Sequence, residues 1–238
     1  MITLDKLQVS ECPISDIRDF VQRHHYSKSV KGITPTQCFR VDHEGVLVGA
    51  AIFGIPAMRE AIRKYSEDGK VKMVELRRLC FVDEAPRNSE SMTLARMFRH
   101  LKKSDVQRIL SYSDPNYGHV GTIYKAIGFR LLGQTPPIRV IWYRDRKWST
   151  RSINRYKSWQ DKSKGLRSST EELRTALESG DAVLRTERGK FIYLLDLRIR
   201  AGKTRKSSGS SRTSTRDLDA EQVKKLAGLV ETKDSVAA

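Results

Sequence analysis

The sequence is short of acid. Its 238 residues carry 28 Asp and Glu against 45 Lys and Arg, a formal charge of +17. That balance argues against an acidic surface built for cationic substrates. It favours polyanions, meaning nucleic acid or an anionic membrane surface. Long apolar runs are also missing. No stretch approaches the about 20 residues that a membrane-crossing helix needs. The start, Met1-Ile2-Thr3-Leu4-Asp5, lacks the basic and apolar regions of a secretion signal. Cysteine is scarce: Cys12, Cys38 and Cys80 are an odd number without metal spacing. They read as reduced, mostly buried thiols of a cytoplasmic protein. No internal repeat is visible.

What is there is unevenly placed. Residues 139–167 hold 10 basic and 2 acidic residues, a net +8 of the total +17. The same segment holds all three tryptophans, Trp142, Trp148 and Trp159, with Tyr143 and Tyr156 between them. Basic side chains neutralise phosphates and release counterions, and aromatic rings stack on exposed bases. Trp142 and Tyr143 equally suit a core strand. Arg144, Arg146, Lys147, Trp148, Arg151, Arg155 and Lys157, with Tyr117 outside the segment, are the candidate nucleic-acid contacts. Residues 201–216 are rich in Ser, Thr, Gly and Arg and have no large apolar residue. They read as a flexible linker, followed by a short helical pattern over 217–230. The expected division is one catalytic domain over 1–200 and a basic tail over 201–238.

Periodicity predicts helices over Ile14 to His25, Met58 to Tyr65, Ser89 to Lys102, Val120 to Ile127 and Thr170 to Leu177. It predicts strands over 2–9, 37–42, 46–54, 73–82, 108–112, 129–133, 138–144 and 191–197. Alternating strands and helices make the fold class α/β (mixed α+β), a central mixed sheet flanked by helices.

Three stretches stand out. The first is Glu75 to Val82 followed by the helix from Ser89. The second is Ser113-Asp114-Pro115-Asn116-Tyr117-Gly118-His119. The third is Gly121 to Phe129, ending Tyr124-Lys125-Ala126-Ile127-Gly128-Phe129. Strand, helix, strand and a short helix ending in Gly-Phe resemble the GNAT acyltransferase core. Together with His25-Tyr26, the stretch from Ser111 to Phe129 is similar to one branch of it, the Mom proteins of phages. The resemblance covers roughly residues 10–200. It implies a phage enzyme that converts adenine in DNA to an N6-carbamoylmethyl form and so evades restriction in the host cytoplasm.

The same resemblance implies site residues. His25, Tyr26, Arg78, Ser91, Asp114 and Tyr124 match the family's catalytic positions, with Tyr124 as general acid toward the leaving group. Iron is implied as well, with His25, Tyr26 and Asp114 as ligands, a donor set that suits it. His25 equally reads as a helix-end histidine facing the C-terminal dipole. The acyl donor would be acetyl-CoA or aminoacyl-tRNA, and the partner double-stranded DNA. One departure stands out: the segment from Asp83 to Ser91 has no glycine where a GNAT chain places its phosphate loop. Arg87, Asn88, Ser89 and Ser91 would hold the donor there, at a helix N-terminus, or Asn88 and Ser89 simply cap the helix. In the Asp114 turn the carboxylate would accept the N6 proton while Tyr117 stacks on the base, or Asp114 only closes its own turn. Strand alternation puts Arg77 and Arg78 on opposite faces. The alternatives are an acetyltransferase of another amine and a DNA-binding protein without activity.

Overall fold

A computed structural model describes residues 1–150 and 168–198. The 201–238 tail, Arg151, Arg155, Lys157, Tyr156 and Trp159 lie outside the described residues. The chain divides into two compact units. The first takes Met1–Ser113, Val120–Gly133 and the chain from Phe191 onward; the second takes Asp114–His119 and Gln134–Lys190.

The first unit begins with β1 (Leu7–Cys12), α1 (Ile14–His24), β2 (Pro35–His43), β3 (Val46–Gly54) and α2 (Arg59–Tyr65). It continues through β4 (Met73–Phe81), α3 (Ser89–Lys103), β5 (Arg108–Ser113), α4 (Thr122–Ala126) and β6 (Arg130–Gln134). The second unit holds β7 (Ile138–Tyr143), β8 (Arg146–Ser149), α5 (Ser168–Ser179) and β9 (Val183–Glu187), and β10 (Phe191–Asp196) returns to the first. The first unit is mixed α+β. Its seven strands lie in the order β1-β2-β3-β4-β5-β10-β6. The pairs from β1 to β4 are antiparallel, as is β5 with β10, whereas β4 and β5 run parallel with α3 between them.

Burial follows the sequence periodicity. In α1, Ile17, Phe20 and Val21 face inward at helical spacing and pack with Cys38, Ile52 and Cys80. In α3, Leu94, Met97, Phe98 and Leu101 form the buried stripe, on the opposite face of the sheet, with Phe39, Phe53 and Ile109. Ala95, between Leu94 and Met97, is exposed. Both sheet faces are thus covered, which is why β3 reads as a nearly unbroken apolar run. Each large side chain so buried stabilises the unit by about 1.5–3 kcal/mol.

The second unit is a three-stranded sheet ordered β8-β7-β9. Ile141 packs with Leu173, Ala176 and Ala182 to make its small core. The expected strand over 2–9 starts later, at Leu7. β8 and β9 had no sequence signal.

An ion-paired clasp closes the end of the first sheet. Arg108 bonds Asp196 at 3.1 Å and the Tyr65 carbonyl at 2.8 Å, and Arg198 holds the same carboxylate at 2.6 Å. Arg198 first, then Arg108, pulls the Asp196 carboxyl down to about 2 from 3.8, against the opposing effect of burial. A depressed folded-state value gives stability that is present above 3.8 and lost as pH falls toward 2. Asp196→Asn should therefore lower the unfolding free energy measured in urea at neutral pH by about 1 kcal/mol after allowance for solvent screening. The gap to wild type should close in that acid window; a gap that stays constant with pH would remove the clasp from the account.

Candidate functional site

The site in the first unit forms where β4 and β5 part. They pair from Met73–Arg108 to Leu76–Ser111 and no further, while β4 runs on to Phe81 and β5 to Ser113. Strands that stop pairing present backbone N–H and C=O groups that a ligand can complete. A bulge sharpens the parting. On the β3 side, Ile52 faces Arg78 but Phe53 faces Leu76, so Arg77 is the extra residue. The core contacts show the consequence. Val74 and Leu76 share one face before the bulge, and Leu79 and Phe81 share it after. The simple alternation expected for Arg77 and Arg78 is therefore overturned, because a bulge resets the face of every residue beyond it. Arg77 lies 3.4 Å from Glu75, whose carboxylate also accepts from the Ala57 amide at 2.9 Å. Arg77 Nε is buried without a partner.

Arg78 turns to the α1 side and donates to the Ser29 carbonyl at 2.9 Å and to the Arg77 carbonyl at 2.7 Å. Burial pulls its guanidinium below the ordinary value, and nearby Tyr26 partly opposes the shift. Tyr26 is exposed, with its ring 4.3 Å from that of buried His25. Three of the expected residues, His25, Tyr26 and Arg78, thus share one neighbourhood. His25 ends α1, its amide donating to Val21 O at 3.0 Å, as the structural alternative expected.

Tyr124 sits on α4, its ring 5.1 Å from Tyr193 and 5.3 Å from Phe129. Burial pushes its phenol up, and Ser111 draws it partly back. No hydrogen bond of good geometry closes between them, and the hydroxyls of Ser111 and Ser113 are buried without partners. Buried polar atoms left open are a mark of sites that a ligand or water completes. Gly121 opens α4 at φ +74°, and a Cβ there would lie 2.3 Å from the Tyr193 ring. Tyr193 is itself pinned by its bond to Val120 O at 2.8 Å. On the other face of β5, burial pushes Tyr112 up to about 12, with Glu75 adding to the shift.

The α3 N-terminus corrects one expectation. Ser89 offers no hydroxyl outward: it is fully buried and donates to Pro86 O at 2.6 Å. Ser91 Oγ donates to Asn88 O at 3.1 Å. Asn88 takes the left-handed conformation, φ +74°, one that Asn tolerates better than most residues other than glycine. It gives a backbone turn where the expected glycine is missing, without any side-chain cap bond. The amides of the second and third helical residues, Glu90 and Ser91, lack intrahelical carbonyls and lie beside exposed Arg87.

Iron does not fit. Among the described residues, no three His, Cys, Asp or Glu side chains gather as a metal site. His25 Nδ1 accepts from the Ser27 amide at 3.1 Å and contacts its hydroxyl at 2.9 Å. The Asp114 carboxylate is likewise engaged. Iron at His25, Tyr26 and Asp114 is thus not supported among the described residues.

In the second unit, Asp114 begins a 3-10 turn, Pro115–Tyr117. It is 2% exposed. Its Oδ1 accepts from the Asn116 amide at 3.0 Å and from Asn116 Nδ2 at 2.8 Å, and Oδ2 lies 3.4 Å from Lys190 Nζ. Asn116 also clasps Arg188, donating to its carbonyl at 2.9 Å and accepting from its amide at 3.2 Å. Asn116, Arg188 and Lys190 had no sequence signal, because the clasp joins positions more than 70 residues apart. Exposed Tyr117 lies under Lys147, whose ammonium is 5.1 Å from the ring centroid. Burial pulls Lys147 down, but Glu187 at 2.5 Å, with Tyr117 and Asp114, outweighs that and raises it.

The small sheet sorts the expected nucleic-acid contacts between its two faces. Trp142 is opposite both Lys147 and Val183 on one face, and Arg185 lies 5.7 Å from the Trp142 ring. Trp148 is opposite Ile141 on the other and packs on the core there. Trp148 is thus partly buried against that core. Arg146 covers its ring at 5.2 Å, and Arg144 pairs with Glu172 at 3.0 Å. Lys147 and Tyr117, joined by Trp142 and Arg185, make the aromatic and cationic face. The cross-strand register was the missing information.

Residues 6–210 match the model of a family described as the Mom protein family. No curated protein matches the chain. Among solved structures it is similar to a mutant agmatine N-acetyltransferase in its apo form, 14% identical with a TM-score of 0.46, covering 81% of this chain and 100% of that one. It is also similar to a polyamine N-acetyltransferase of Drosophila melanogaster, 14% identical, TM-score 0.42, covering 80% and 100%. A third similar structure is a GNAT family acetyltransferase from Elizabethkingia anophelis with acetyl-CoA bound, 8% identical, TM-score 0.42, covering 81% and 99%. No described helix is long and apolar enough to cross a membrane.

Proposed function

Since the chain belongs to the Mom protein family, we propose that it is a transferase that converts adenine in phage DNA to an N6-carbamoylmethyl form in the host cytoplasm. The modification shields that DNA from restriction enzymes. The observation that carries the reading is the Asp114 turn: a buried carboxylate three residues from an exposed aromatic ring that lies under a cation. This is a geometry for handling an extruded base. The charge of +17 supports a polyanionic substrate.

Adenine N6 is a weak nucleophile because its lone pair is delocalised into the ring. The base must leave the duplex to be reached. Tyr117 stacks on it, and Asp114 accepts the N6 proton as N6 attacks the carbonyl carbon of an aminoacyl (glycyl) ester, whose C–O bond breaks. Tyr124 gives its proton to the leaving group, and Arg78 offsets the developing negative charge. The donor is held through its phosphates by the amides at the start of α3 and by Arg87. Of the two expected donors only aminoacyl-tRNA carries the nitrogen in its acyl group. The glycyl amide that acyl transfer from it forms has the atoms of the carbamoylmethyl group and reaches it by isomerisation.

The test is to express the chain beside a plasmid and digest the plasmid DNA to nucleosides. Mass spectrometry should show an adenosine heavier by the carbamoylmethyl group. Unmodified plasmid with salt-sensitive DNA retention would favour a DNA-binding protein without activity. Loss of both would leave an acetyltransferase of another amine.

A further inference from the structure

The first unit carries a basic groove that the proposed chemistry does not use. It runs between β1, the edge strand of the sheet, and α3. Arg96, Arg99, His100 and Lys103 line it from the helix, and Leu7 to Val9 from the strand. The helical residues fall at i, i+3, i+4 and i+7, so they make one stripe. No acidic residue lines the groove.

Among the described residues the cations are not neutralised from elsewhere. Arg96 is half-buried, and among the described residues its guanidinium reaches only uncharged partners, the Leu7 carbonyl and, at 3.8 Å, Met92 Sδ. Arg99 and Lys103 are exposed and form no ion pair among the described residues. Lys6, Arg40, Arg108, Lys147 and Arg198 each meet a carboxylate. A half-buried charge without a counter-charge is costly to keep, and an anion in the groove would offset that cost.

We propose that the groove between β1 and α3 is a second nucleic-acid contact, gripping the phosphate backbone of DNA through Arg96, Arg99 and Lys103. The stripe from Arg96 to Lys103 is about 10 Å long at 1.5 Å per residue, which matches about three phosphates along one strand. It grips without reading sequence, because phosphates carry no base identity. The identity of the polyanion rests on the proposed function. The grip itself is read by binding, so absence of modified adenosine would not decide it.

The experiment compares the full chain with Arg99→Ala/Lys103→Ala on a short duplex of mixed sequence, over a series of salt concentrations. Both residues are exposed, so the fold should tolerate the change; Arg99→Gln/Lys103→Gln keeps side-chain bulk as a second form. The slope of log affinity against log salt should become shallower by about 2, one per lost phosphate contact, and equally on a second sequence. Arg63→Ala/Lys70→Ala removes the same charge from exposed positions outside the groove and should leave the slope nearly unchanged. An unchanged slope in the groove variant, or an equal change in both, overturns the proposal. Lost binding to phosphatidylserine vesicles with intact DNA binding overturns it as well.

Discussion

Tyr124→Phe is expected to cut the yield of modified adenosine at least about 100-fold, the usual worth of a general acid, with DNA retention unchanged. The substitution removes one oxygen and leaves the packing on Phe129 and Tyr193 in place. The pH dependence follows from the direction of the shift. Burial holds the Tyr124 phenol above its ordinary 10, so it keeps its proton through the whole range in which DNA work is practicable. The alkaline limb of the rate should therefore lie above 10; a limb near neutrality would name another acid. Asp114→Asn should lose activity to a similar degree, because an amide cannot take the N6 proton, and the isosteric side chain can still meet Asn116. If Tyr124→Phe and Asp114→Asn both modify DNA at the wild-type level, the residue assignment fails even though the family stands.

These assignments show what local sequence carries. The buried stripes of α1 and α3 were legible because helical spacing is set within one element. The strand, helix, strand and short helix from Glu75 to Phe129 were legible for the same reason. What stayed hidden was decided by partners far along the chain. The bulge at Arg77 exists only in register with β3, and it alone decides how Arg77 and Arg78 are presented. β8 is four residues, Arg146 to Ser149, charged at one end and polar at the other, so it carries no alternation to detect. Trp148 stands among arginines in the sequence, but only the pairing with Ile141 shows which face of the small sheet it takes. Ser89 looked like a phosphate ligand because serine is common at helix starts, yet its hydroxyl closes onto Pro86. The Asp114 turn was half legible. Its bond to its own backbone follows from residue type, whereas Lys190 at its second oxygen does not.

Gly189→Ala is expected to have the largest effect on stability, and the reason lies in that same clasp. A Cβ at position 189 would fall 1.7 Å from the backbone oxygen of Thr135. Neither chain can step aside cheaply. Thr135 N–H donates to Lys190 O at 2.9 Å, Lys190 N–H donates to Thr135 Oγ1 at 2.8 Å, and Gln134 Nε2 donates to Gly189 O at 2.6 Å. Relieving the overlap breaks several of these bonds, a loss of about 2–4 kcal/mol. The neighbours on either side, Arg188 and Lys190, are the residues that hold Asn116 and face Asp114. Activity should therefore fall together with stability, and it should stay low at temperatures where the variant remains folded. Gly180→Ala is the matched control. It replaces a glycine at positive φ, +85°, unlike Gly189, but the added Cβ meets nothing within 4 Å, so only backbone strain of about 1 kcal/mol is expected. Urea midpoints and nucleoside yields for the two variants separate the cases. Equal midpoints would mean that the Thr135 segment yields freely, and the clasp would then lose its place as the support of Asp114.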